Sequence, residues 1–487
     1  MDSYIERNNN GTLVVPYRAN QSRQLEAING IYDTVYHHYK ETSGFRIKYN
    51  GVGAYATYAI SRDYMKSLFP TYGIIERGLS PYECLGEPYT LIDDITPTHI
   101  QSDIINSILS AMGREREWYV NLPTASGKTL LSVYLTSLMN MKTLIMCFSK
   151  GILKQWYETF KDKFTINPKR VTFIDSSAML DAMYEGNFDF DRYDIYLCNP
   201  GILTKYLKKT DYNRLDTIFT RMGIGLKIFD EAHRHLSNII KINAVSNVRF
   251  TLYLSADYGQ GDPKKEEKFF KIFNKVRVIS PKEEVLTDMK YTRGVVMLYD
   301  THPDDLEAHQ IFNGYGYSAQ YYMDYQMKKG KIVDVIKQVV DYIHERDSSG
   351  RILILFNYIE HIEAVTSKLQ EWYGDFFKVR SFHGLTDDSE RDDIKKHADI
   401  IVSTYGSFGT GIHEKGIKYI IGTNQSNKVE DNQAAGRAEK PADGSDVIYF
   451  MLVDEGFPYC RKKLKTRLEY LKQKKLKGQV IKVMYRE

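Results

Sequence analysis

The chain has 487 residues, 43% of them hydrophobic and 26% charged, with a formal net charge of +4, an ordinary make-up for a folded protein with a full core. At roughly 150 residues per domain, that length suggests about three domains. The four cysteines, Cys84, Cys147, Cys198 and Cys460, form no CxxC pair, which argues against a zinc site or a disulfide framework and fits a reducing compartment. The start, MDSYIERNNNG, is polar and unlike a signal peptide, and no run is long and apolar enough to span a bilayer. The expectation is a soluble, cytoplasmic protein.

Along the chain, residues 1–93 mix a helical stretch, RQLEAINGIYDTVYHHYKE, with short aromatic alternating stretches such as AYATYAI. They read as a small α+β module. Its Arg46, Lys48, Arg62, Lys66 and neighbouring tyrosines make a basic, aromatic surface suited to a nucleic acid, with packing against the rest of the protein as the alternative. From 94 to 280, strand-like runs (WYVNL, TLIMCF, VTFI, IYLC, LKIFD, FTLYLS) alternate with amphipathic helical ones. This alternation predicts a parallel sheet covered by helices. The pattern recurs over 281–455 with RILILF, KVRSF, DIIVST, YIIGT and VIYFMLV. A connector over 280–330 is expected to carry its own hairpin, because KYTRGVVMLYD is strand-like. A basic tail, 456–487, closes the chain. Residues 461–487 hold eleven Lys and Arg against two Glu, a net of +9 that leaves −5 for the remainder. Such a tail suits a polyanion partner. Its Leu464, Leu468 and Leu471, at helical spacing, would dock while cations on the other face meet phosphate.

Two stretches carry chemistry. WYVNLPTASGKTLL (118–131) takes a strand into a loop and then a helix. In that order, backbone N–H groups and the helix dipole face an anion. Gly127 permits close backbone approach, Lys128 reaches outer phosphates, and the Thr129 hydroxyl ligates magnesium. The long form of this motif needs glycine where Leu122 stands, and Ala125 fills a slot that is often glycine. The match is therefore to the shorter PTxxGKT form, and the alternative is a helix start without a ligand. Second, LKIFDEAHRH (226–235) ends a strand in two acids. Asp230 can hold the magnesium through water, and Glu231 can polarise an attacking water. His233 and His235 lack an evident third ligand, so they do not read as a metal site.

GKT followed by DEAH resembles a superfamily 2 helicase or translocase, and further motifs follow in order over about 95–455. ITPTHIQSDII (95–105) resembles the adenine-reading entry motif, with Gln101 as the adenine contact. TLIMCFSKGILKQW (143–156) resembles motif Ia, and LYLSADY (252–258) the Ser-Ala-Thr coupling motif, with Asp257 where Thr is usual after Ser255 and Ala256. RILILFNYIEHIEAV, SFHGLTDDSER, IIVSTYGSFGTGI and NQAAGRAEK resemble motif IV, the His-Gly segment after it, motif V and motif VI. NLPTASGKT together with STYGSFGTGIHEKGIKYIIGTNQSNK is similar to the UvsW-type recombination helicases of large tailed phages. That family migrates junctions, regresses forks and dissociates displacement loops.

The resemblance implies an α/β fold of two tandem RecA-like parallel-sheet lobes that close on ATP and Mg2+. It implies a nucleotide site of Thr124, Ala125, Ser126, Gly127, Lys128, Thr129 and Gly411. Arg437 and Lys440 would serve catalysis, and Gln433 would join the coupling residues. Lys440 stands where an arginine finger is usual, and it offers a point charge without Arg's planar fork. Ser149, Lys150, Asn199, Ser403, Thr404 and Thr410 would meet the nucleic-acid backbone, with capping and turn formation as the alternative for the hydroxyls. The function implied is ATP-driven remodelling of branched, forked or duplex DNA by a monomer, working with phage recombination or single-strand-binding proteins in the host cytoplasm. An RNA helicase of DEAD/DEAH type and an ATP-binding DNA clamp with weak hydrolysis stay open. A membrane role is not expected.

Overall fold

The computed structural model describes residues 4–7, 13–16, 48–49, 53–55, 73–76, 78–123, 126–210, 212–233, 236–256, 269, 273, 276–281, 292–313, 316–347, 349–405, 416–423, 445–473 and 478–482. These fall into two compact units, Met1–Pro281 and Lys282–Glu487.

The first unit begins with a small sheet. Its strands are β1 (Tyr4–Arg7), β2 (Leu13–Pro16), β3 (Lys48–Tyr49), β4 (Gly53–Tyr55) and β5 (Gly73–Glu76), in the order β3-β4-β2-β1-β5. Only β1 and β5 pair in parallel. The helical stretch expected at 23–41, and Arg46, Arg62 and Lys66, lie outside the described residues.

Its second sheet is built from β6 (Glu117–Asn121), β7 (Thr143–Met146), β8 (Val171–Ile174), β9 (Ile195–Cys198), β10 (Leu226–Phe229), β11 (Phe250–Ser255) and β12 (Arg277–Ile279). The order is β12-β6-β11-β10-β7-β9-β8, and every pairing is parallel. β7, β9, β10 and β11 are buried along their whole length, as a parallel sheet with both faces covered requires. The covering helices are α1 (His99–Ala111), α2 (Lys128–Met139), α3 (Lys150–Lys163), α4 (Ser177–Glu185), α5 (Pro200–Lys209), α6 (Tyr212–Arg221) and α7 (Leu236–Val245). Alternation along β6 separates the two cores: Trp118 and Val120 pack into one cluster, and Tyr119 into the other.

Residues 80–86 form a strap across the N-terminal ends of these strands. Ser80 N donates to Asn247 O (3.0 Å), Glu83 N to Gly223 O (2.8 Å), and Gly86 N to the buried Asp194 carboxylate (2.8 Å). The strap lies at the edge opposite the one from which the loops after the strands emerge.

The second unit repeats the plan. Its strands are β13 (Thr292–Tyr299), the short hairpin β14 (Phe312–Asn313) and β15 (Gly316–Tyr317), β16 (Arg351–Phe356), β17 (Val379–Phe382), β18 (Ile400–Thr404), β19 (Ile417–Gly422), β20 (Val447–Asp454) and β21 (Gly478–Lys482). Seven of them form a sheet in the order β17-β18-β16-β19-β20-β13-β21, parallel throughout. Its helices are α8 (Asp305–Gln310), α9 (Ala319–Lys329), α10 (Lys331–Arg346), α11 (Ile359–Tyr373), α12 (Asp388–His397) and α13 (Pro458–Gln473).

The sequence reading needs two corrections here. The hairpin expected over 280–330 is there as β14 and β15, but KYTRGVVMLYD is no part of it; it becomes β13, inside the main sheet between β20 and β21. The tail is not wholly a helix: after α13, residues 478–482 add β21 to the edge of β13. Leu464 packs on the core of this unit, whereas Leu468 is 37% exposed. The periodicity of the tail hid the strand because GQVIK is short and follows a run of lysines.

Candidate nucleotide and nucleic-acid site

The loop between β6 and α2 sits at the C-terminal edge of the first unit's large sheet, where parallel α/β folds bind ligands. Gly127 caps α2 with φ 75°, the left-handed region. A side chain there would also collide with Gln101, since a Cβ would lie 2.4 Å from its amide nitrogen. Thr98 and Gln101 form a capping box at the start of α1. The Gln101 amide then donates to the carbonyls of Ser126 (3.1 Å) and Gly127 (3.3 Å). Gln101 therefore ties α1 to the loop, beside the residues expected to cradle phosphate. Lys128 Nζ donates to the carbonyls of Leu122 and Pro123, both at 3.1 Å, and Ser126 Oγ to that of Pro123 at 2.7 Å. Thr129 follows in the first turn of α2, partly buried. Thr124 and Ala125 lie outside the described residues.

The acids follow β10 on the same edge. Asp230 Oδ1 accepts from Glu231 N (2.9 Å), and Oδ2 accepts from the indole N–H of Trp156 (3.0 Å). Burial pushes the Asp230 carboxyl up to about 6; Glu231 pushes the same way, while Lys128 and the hydrogen bonds pull it back. Glu231 holds φ 50°, a left-handed conformation that a non-glycine residue rarely adopts. Such strain costs on the order of 1–3 kcal/mol and gathers at functional sites. His233 Nδ1 lies 2.6 Å from Ser255 Oγ and 3.4 Å from Glu231 Oε2, and both His233 and Ser255 are buried. This histidine bridges the acid pair to the end of β11, a role the sequence reading missed when it asked only whether His233 bound metal. Ala256 follows directly; Asp257 and His235 lie outside the described residues.

The donor set fits magnesium. It offers a hydroxyl and carboxylate oxygens, the hard ligands that ion takes. The nearby Cys147 thiol is pushed well up, by burial first and then by the Asp230 and Glu231 charges, so it stays protonated and is no competing soft ligand. The buried Asp230, its carboxyl raised first by burial and then by the Glu231 charge, would gain from a cation placed beside it.

The expected nucleic-acid contacts divide. Ser149 caps α3 without a side-chain cap bond, and Lys150 is exposed at its first turn. Asn199 caps α5: its Oδ1 accepts from Gly201 N (2.8 Å), and its Nδ2 donates to Phe148 O (3.1 Å). Its amide is thus engaged in the local turn. Ser403 is fully buried in β18, and its hydroxyl donates to Phe382 O at 2.5 Å, so its side chain is engaged between strands and not at the surface. Thr404, at the end of β18, lines an open cleft of about 480 Å³ with Gln320, Asn357, Tyr358, Glu360 and Gly384. Helix α11 starts on this cleft, and its N-cap, Tyr358, makes no side-chain cap bond. Thr410, Gly411, Gln433, Arg437 and Lys440 lie outside the described residues.

Comparison with known proteins finds two family models along the chain. Residues 94–258 match the family model described as type III restriction enzyme, res subunit, and residues 331–441 match the helicase conserved C-terminal domain. The chain carries the two motor domains of a superfamily 2 helicase. A helicase/translocase subunit XPB of the general transcription and DNA repair factor IIH, from Enterocytozoon bieneusi, is 26% identical over 172 residues. That match covers 33% of this chain and 27% of the relative. Two structures of S. cerevisiae Dbp5 bound to RNA and ADP BeF3, one of them a single-residue variant, share the helicase fold. Their TM-scores are 0.54 and 0.53 at 13% and 14% identity, over 80% of this chain and 90% of theirs. Helicase domains of this kind belong to ATP-hydrolysing enzymes that act on nucleic acid.

Proposed function

We propose that this helicase is an ATP-driven DNA motor that remodels branched DNA by junction migration, fork regression and displacement-loop dissociation, as the UvsW-type recombination helicases of large tailed phages do. The observation that carries the motor reading is the meeting of Lys128, Asp230, Glu231 and the His233–Ser255 bridge at one sheet edge. The DNA reading is favoured by the names of the sequence-level relatives, a restriction-enzyme subunit and a DNA repair factor. The RNA-bound Dbp5 structures are alike in fold alone.

In this reading Lys128, which donates to the carbonyls of Leu122 and Pro123, would turn to the outer phosphates of ATP. Thr129 and, through water, Asp230 would hold magnesium, which when bound would neutralise phosphate charge. Glu231 orients the attacking water, with its carboxylate 3.4 Å from His233 Nδ1. His233 and Ser255 carry the change at the acids into β11. Ser149 and Lys150 in the first lobe grip the strand's backbone, and Thr404 with the open helix end of α11 does so in the second. Helix N-termini suit phosphate. Arg437 is essential for turnover and Lys440 is a weaker helper; Arg437→Ala retaining normal turnover would refute that assignment. The test of the whole reading is ATP turnover and strand exchange on a four-way DNA junction. Stimulation by single-stranded RNA but not by branched DNA would favour the RNA-helicase alternative.

A further inference from the structure

The motor reading leaves Trp156 without a task. Its indole is fully buried, among the packed apolar residues of one lobe core, and its N–H reaches Asp230 Oδ2 at 3.0 Å. We infer that Trp156 is a positioning residue that aims the Asp230 carboxylate at the metal and links that carboxylate to the nucleic-acid end of α3. The inference rests on the nucleotide-site reading above.

Three observations carry it. First, a carboxylate offers about four lone-pair sites. Here one oxygen is held by Glu231 N and the other by the indole, so the carboxylate plane is fixed. An indole N–H can only donate, and its packing prevents it from following a rotated carboxylate. Second, the indole makes the shorter of the two side-chain contacts on Oδ2: it stands at 3.0 Å, against 3.9 Å for the Cys147 thiol. Third, Trp156 belongs to the helix whose start, Ser149–Lys150, holds the candidate nucleic-acid contacts. Trp156 lies six positions after Lys150, about 9 Å along a rigid helix at 1.5 Å per residue. A strand pressing on the start of α3 would shift the donor against Asp230.

The experiment replaces Trp156 in the full chain with β-(3-benzothienyl)alanine, which keeps the shape of the side chain and puts sulfur where the N–H was; Trp156→Phe serves as companion. Mn2+ binding is measured by electron paramagnetic resonance with a non-hydrolysable ATP analogue, with and without single-stranded DNA. Hydrogen bonds to charged groups are worth enough that loss of one predicts roughly tenfold weaker Mn2+ binding. The isostere melts within a few degrees of the wild type and keeps its metal-free nucleotide binding, and DNA alters Mn2+ affinity in the wild type but not in the isostere. If Trp156→Phe fails to fold, the isostere decides. An isostere that binds Mn2+ within twofold of wild type overturns the inference and leaves the nucleotide site intact. A wild type that binds no Mn2+ with nucleotide sinks the site reading, and this inference with it.

Discussion

Ser255→Ala tests the link between the acid pair and β11. Ser255 is fully buried, His233 is 2% exposed, and their side chains meet at 2.6 Å. A buried hydrogen bond is worth about 0.5–1.5 kcal/mol net, and a partner left unsatisfied costs about 1–3 kcal/mol. If the bond transmits the state of the acids, that energy is lost from strand movement and not from phosphate chemistry. Strand displacement per ATP should then fall by roughly fivefold or more, since about 1.4 kcal/mol is tenfold, while DNA-stimulated turnover stays within about threefold of wild type. The assay measures both rates on one forked substrate for Ser255→Ala, His233→Ala and the double variant. Because the two side chains touch, the cycle should show coupling of about 1 kcal/mol, above the 0.3–0.5 kcal/mol expected for independent sites. Additive effects, or turnover and displacement falling together, would refute the reasoning.

Lys128→Ala should abolish ATP turnover, while Glu231→Gln should bind ATP normally and fail to hydrolyse it; both are read by nucleotide binding and phosphate release. Arg437→Ala should stop turnover without weakening ATP binding. Deleting residues 474–487 removes β21 from the edge of β13, and at about 1 kcal/mol per lost ladder bond the second unit should melt several degrees lower. The same deletion, by removing five Lys and Arg at 474, 475, 477, 482 and 486, should flatten the salt dependence of DNA binding if they meet phosphate. For pH, the Lys418 hydrogen bond, foremost, holds the Asp347 carboxyl below its ordinary range. A group with a depressed folded pKa stabilises above its unfolded value, about 3.9, and that stabilisation is lost as pH falls. Asp347→Asn should therefore lower the melting temperature at pH 7 and bring the variant and wild-type curves together below about pH 4.

Both sheets could be read in the sequence because runs such as IYLC in the first and ILILF in the second are apolar at every position, as strands buried on both faces require. The gathering of Lys128, Asp230 and Ser255 follows from that, since residues just past parallel strands share one edge. What stayed hidden depends on distance and depth. Ser403 and Thr404 are neighbours in one motif, yet the strand buries the hydroxyl of the first and brings the second to the cleft. Trp156 looks like any core aromatic until the fold brings Asp230, 74 residues away, to its N–H. Asp454 shows the same limit: burial raises its carboxyl, and Thr301 and Gln326 hold it from far along the chain. β21 was missed because a five-residue strand behind a lysine-rich helix shows no period long enough to read.

The most direct test of the account is ATP turnover by the wild-type chain on single-stranded, duplex, forked and four-way DNA and on matched RNA, with strand exchange followed on the branched substrates. The account predicts the highest turnover, together with ATP-dependent strand exchange, on forked and four-way DNA. Turnover that responds to RNA alone, or branched DNA bound without any exchange, would contradict it.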